Sequence, residues 1–184
     1  MDCVIPARKT AFGSKKILRQ NSPNKRFPRT SPQAGLNTPG RTIEGYRFLE
    51  HTSDAHIEAW GPTLEGAFAH AAEGFYETML NVRSVEPQTI DRLRVEGHDE
   101  KELLYDWLEA LLLKFDIDRM VYSVFDITRI SNESQTMKLE AKVRGEKYDQ
   151  RKHGAKAEIK GVTYHEMQIE RQRDRVTVRF ILDL

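Results

Sequence analysis

The sequence predicts an α+β domain, a two-layer sandwich in which two helices pack on a mostly antiparallel sheet. Two stretches, near 63–80 and from Asp99 through Phe115, repeat apolar residues at the helical period. Most of the remaining chain after residue 44 alternates apolar and polar residues with period two, as strands with one wet face do. A length of 184 residues with 39% apolar content suits one domain with a sizeable core, and no internal repeat or second domain is visible.

The elements follow in order. Two short alternating runs, Tyr46–Glu50 and Ala55–Gly61, flank the polar tetrapeptide His51-Thr52-Ser53-Asp54. Gly61-Pro62-Thr63 then ends the second strand, with Thr63 as N-cap and Glu65 in the first helical turn. Leu64, Ala67, Phe68, Ala71, Phe75 and Met79 give that helix its buried stripe. A strand at 88–96 precedes the second helix, where Asp99 and Glu102 read as a capping box and Leu104, Trp107, Leu108, Leu111 and Phe115 line one face. Residues 121–130 and 136–144 form a hairpin across Ser131–Ser134. A charged loop at 145–155 leads to a strand at 156–169, in which Gly161 marks a bend and His165 shares a face with Met167 and Ile169. The turn 171–174 feeds the last strand, with Val176, Val178, Phe180 and Leu182 facing inward.

Charge divides the chain unevenly. Residues 1–43 hold nine basic residues and one acid, whereas 44–184 hold 20 basic and 27 acidic residues, a net of −7. The first segment, with Pro6, Pro23, Pro28, Pro32 and Pro39 and no apolar periodicity, reads as a disordered basic extension, and 44–184 as the folded domain. Its few acids and many Arg, Lys and Ser also suit an organellar transit peptide, but an amphipathic arginine-rich helix is missing. The expected location is the cytoplasm, with the nucleus and an organelle left open. A single cysteine, Cys3, excludes internal disulfides and cysteine-based zinc sites. No apolar run approaches membrane-spanning length.

The sharpest candidates for chemistry are Asp54, on the corner between the first strands, and Asp183, turned from the core by the alternation of the last strand. The carboxylate of Leu184 follows one residue on. Should the sheet set the first strands beside the last, these oxygens would suit Ca²⁺, Mg²⁺ or Mn²⁺ better than zinc. Without that pairing, Asp54 is a turn residue and Asp183 a solvated one. His51, Asp54 and His56 offer a mixed alternative that would need a sharp bend. The loop with Lys147, Arg151, Lys152, His153 and Lys156 suits either a phosphate or plain solvent. Walker, dinucleotide, nucleophile-elbow and H-E-x-x-H signatures are absent, and an acidic domain disfavours a stand-alone RNA-binding module.

Tyr46-x-x-Leu49-Glu50-His51-Thr52-Ser53-Asp54-Ala55, then Ala59-Trp60-Gly61-Pro62-Thr63-Leu64-Glu65-Gly66-Ala67-Phe68, resembles archease. So do Lys152-His153, Glu158-Ile159-Lys160-Gly161-Val162-Thr163-Tyr164-His165 and the ending Ile181-Leu182-Asp183-Leu184. The resemblance spans 44–184 and leaves residues 1–43 outside the compact family pattern. It implies a protein with no catalysis of its own that activates the GTP-dependent RtcB-class tRNA-splicing ligase. Its part would be to promote the ligase–guanylate intermediate and multiple turnover. It also implies a divalent-ion site, calcium in the family, at Asp54, Asp183 and Leu184, with RNA reached indirectly through the ligase and no membrane partner. Two other readings compete: a metal-dependent phosphoester hydrolase using Asp54, His51 and His56, and an RNA-binding adaptor using residues 1–43 and the loop 145–156.

Overall fold

Thr63 and Asp99 begin their helices as the sequence leads one to expect. The computed structural model describes residues 43–50 and 54–184, so residues 1–42 of the expected disordered extension and residues 51–53, His51 among them, lie outside the described residues. Strands β1 (Gly45–Leu49) and β2 (Ala55–Gly61) lead into α1 (Leu64–Met79). A 3-10 turn (Val82–Ser84), β3 (Thr89–Gly97) and α2 (Glu100–Asp118) follow. The chain continues through β4 (Met120–Glu133), β5 (Thr136–Lys147), the short α3 (Gln150–His153), β6 (Gly161–Gln172) and β7 (Arg175–Asp183).

The mixed α+β class is as expected, but the strands divide between two sheets, ordered β1-β2-β7-β6 and β3-β5-β4. Every paired neighbour is antiparallel. Period two tells which face a strand buries and not which strand it joins, so the division is invisible in the pattern. The β4–β5 hairpin turns on Ser134 and Gln135, at φ 52° and 70°, whose left-handed backbone matches the twist of the strands beside it.

Both helices are fixed by side-chain caps. Thr63 accepts from the Gly66 amide at 3.1 Å. Asp99 accepts from the Lys101 and Glu102 amides, both at 2.9 Å, while Glu102 reaches back to the His98 amide at 2.6 Å. The box therefore closes one residue earlier than the usual reciprocal bond to the capping residue. Helix α1 lies against β1, β2, β7 and β4, and α2 against β3, β6, β5 and β4. The buried Trp107 indole donates to the Phe68 carbonyl at 3.1 Å, and the Tyr76 hydroxyl to that of Leu111 at 3.2 Å. Each large ring thus satisfies its polar atom while it fills the core, and the helices are tied together. Among the described residues no helix is long and apolar enough to cross a membrane.

Two expectations are corrected. The loop after β5 contains a helical turn, α3, capped by Asp149 through the Arg151 amide at 2.8 Å. The shared face of His165 and Met167 is lost: Met167 is buried while the His165 side chain is 76% exposed, because β6 loses register with β7 between Thr163 and Gln168. A bulge of that kind resets which side each residue takes, and alternation alone does not reveal it.

Candidate metal centre

The strand order places the corner residues. β7 pairs with β2 on one side and with β6 on the other. Ala55 stands opposite Leu182, and Gly161 opposite Asp183. β2 begins at Ala55 opposite Leu182, so Asp54, just before β2, and Asp183, at the end of β7, flank the same paired position. The two carboxylate-bearing residues, far apart in the chain, thus share one end of one sheet. Asp183 is exposed, while Asp54 and Leu184 are half-buried.

Lys160 completes this corner. Its amide donates to the Asp183 carbonyl at 2.8 Å, and its ammonium donates to the Leu184 main-chain oxygen at 2.5 Å. In the sequence Lys160 stands only within the longer motif 158–165, with no direct signal for its partner oxygens. The available signal was its position immediately before Gly161, the residue that pairs with Asp183. The corner therefore combines carboxylate and main-chain oxygens with one cation. Hard oxygen donors on a hydrogen-bonded sheet end fit a hard divalent ion in kind. Among the described residues, however, no three His, Cys, Asp or Glu side chains gather in a metal-binding cluster. An ion here would draw on Asp54, Asp183 and a Leu184 oxygen rather than on side chains alone.

The mixed histidine alternative is not assembled among the described residues. His56 lies within β2, opposite Leu49 and Ile181, and His51 lies outside what is described.

The basic loop is built into the fold. Lys152 meets Glu146 at 2.8 Å and Glu86 at 3.0 Å, and Lys156 meets Glu77 at 2.5 Å. Lys147 donates to the Asp118 carbonyl at 2.5 Å. The buried His153 accepts the Asp149 amide at Nδ1, 3.0 Å, so its Nε2 carries the proton shared with Glu146, also at 3.0 Å. Partial burial would raise the Glu146 carboxyl. Hydrogen bonds from Lys152, the Glu86 amide and His153 instead hold it down at about 2. Cations committed in this way are poor material for a phosphate grip.

Comparison with known proteins identifies the family. Residues 46–184 match the sequence model of the Archease protein family (MTH1598/TM1083). The chain is 35% identical over 142 residues to protein archease of Sulfurisphaera tokodaii, covering 77% of this chain and 100% of that one. It is 41% identical over 132 residues to protein archease of Pyrococcus abyssi, covering 72% of this chain and 92% of that relative. The solution structure of Methanobacterium thermoautotrophicum protein 1598 superposes with a TM-score of 0.66 at 31% identity, covering 76% of this chain and 99% of that one. With its ordered strands and its corner residues inside the matched span, the chain belongs to the archease family.

Proposed function

We propose that this chain is a non-enzymatic activator of a GTP-dependent, RtcB-class RNA ligase in tRNA splicing, promoting ligase guanylylation and multiple turnover. The observation that supports the reading is the β2–β7–β6 register, which brings the start of β2, next to Asp54, to the end of β7 at Asp183, with Lys160 alongside. Carboxylates carried at the adjoining ends of paired strands stay near one another without help from a partner, and such preparation favours presenting a charge to another protein's active site. Asp54, Asp183 and the Leu184 oxygen would hold a divalent ion, with calcium first and Mg²⁺ or Mn²⁺ as alternatives. Bound there, the ion would supply positive charge for nucleotide phosphates. Lys160 holds the last residue of β7's extension in place and balances part of the acidic corner. The partner is the ligase, RNA is met through it, and the setting is cytoplasmic.

The decisive assay is ligase guanylylation and ligation under substoichiometric ligase, with and without the chain. Asp54→Ala should reduce stimulation by tenfold or more, on the order of 1.4 kcal/mol at least. The thermal unfolding midpoint should stay near wild type in the absence of added metal. Full stimulation by this variant would remove the assigned corner from the mechanism. No observation favours the hydrolase, and the committed loop cations weaken the RNA-adaptor reading.

A further inference from the structure

Tyr164 is a large side chain left half open, at 50% exposure. Its ring stacks on Tyr105 of α2, with centroids 4.4 Å apart and planes 13° from parallel. The β6 bulge places it there. Between the paired residues Thr163 and Gln168, Tyr164, His165 and Glu166 are exposed while Met167 is buried, and Glu166 takes a left-handed φ of 56°. Met167 anchors the bulge and the other side chains are lifted outward.

The surroundings of the ring pair are acidic. Asp99, Glu102 and Asp106 bear on Tyr164, and Glu109 and Asp106 on Tyr105. Burial, followed by this negative field, pushes the Tyr164 hydroxyl up to about 12. Asp99, Glu102 and Glu109 accept main-chain amides and pair with no Lys or Arg among the described residues. Asp106 has neither kind of partner there. Burial, then repulsion from Glu102 and Glu109, raises its carboxyl to about 6. The strand end is shared with the corner described above, for Glu109 accepts the Val162 amide at 3.2 Å and the adjacent Gly161 pairs with Asp183.

We propose that Tyr105 and Tyr164, with Glu102, Asp106 and Glu109, form a docking surface for an arginine-bearing basic face of a protein, namely the ligase. This rests on the activator reading and names the surface that reading lacks. A guanidinium is planar, stacks on a tyrosine face and forks onto a carboxylate, so it satisfies both features of the surface at once. A nucleic acid would find the rings but meet repulsion from the carboxylates, and an apolar helix would bury Asp106 unpaired.

The test has two arms, both on the full chain. In the first, the chain with labelled tyrosine rings is titrated by nuclear magnetic resonance with a short arginine–serine peptide, its lysine and glutamate counterparts, and oligouridylate. The arginine peptide should shift the Tyr105 and Tyr164 resonances and bind several-fold tighter than the lysine peptide, as expected for a stacked guanidinium. No arginine preference, or a larger response to oligouridylate, overturns the proposal. In the second arm, Tyr164→Ala and Asp106→Lys should each raise the Kd for the ligase about tenfold, with stimulation recovered at saturating chain. Tyr164→Phe, which keeps the ring, should bind as wild type and controls for folding. Wild-type Kd for Asp106→Lys overturns the docking surface and leaves the activator reading standing. If the wild-type chain neither binds nor stimulates the ligase, the activator reading falls, and with it the ligase as occupant of this surface.

Discussion

Single residues here are set by neighbours that the local sequence does not reveal. Asp106 reads as an ordinary helix-surface acid, yet burial and the carboxylates of Glu102 and Glu109 raise it to about 6. Its unfolded value is near 3.8, so the native state holds the proton more tightly than the unfolded chain. This group's contribution therefore declines as pH rises from about 4 to about 6. Asp106→Asn should accordingly gain about 1 kcal/mol at pH 7, after allowance for solvent screening, and little at pH 4, measured by urea unfolding. The positions of Asp54 before β2 and Asp183 at the end of β7 are legible for a different reason, since strand ends leave signals in the local sequence. Lys160 was not singled out, because its partner oxygen belongs to Leu184 and only strand pairing brings the two together.

Among the elements, helices are legible in the sequence and strand partners are not. A helix carries its start in its own residues, so the Thr63 and Asp99 caps were visible. Sheet order depends on residues far away in the chain, which explains why one expected sheet became two. Gly97 shows the same limit. It ends β3 so close to α2 that an added Cβ would stand 2.6 Å from the Leu103 nitrogen and 3.0 Å from the Glu102 carbonyl carbon, both backbone. Gly97→Ala should therefore cost about 2 kcal/mol or more in urea unfolding, because helix and strand must separate. The bulge of β6 is likewise hidden, for Gly161 marks a bend a few residues before the register shift between Thr163 and Gln168.

At the level of the whole molecule, charge distribution governs encounter. Residues 44–184 carry 20 basic and 27 acidic residues, which suits a basic, RNA-binding partner. Association with the proposed ligase partner should slow about tenfold between roughly 0.05 and 0.5 M salt, while dissociation changes less, as stopped-flow mixing would report. A rate indifferent to salt would remove electrostatic steering from the account.

The position of β7 also bears on how the sheet closes. The strand lies between β2 and β6, in the interior of its sheet. Until β7 inserts, β2 and β6 each present an open hydrogen-bonding rim, and such rims recruit other chains. A product truncated before Arg175 would lack the strand that joins the two halves of the sheet, and with it Asp183 of the acidic corner.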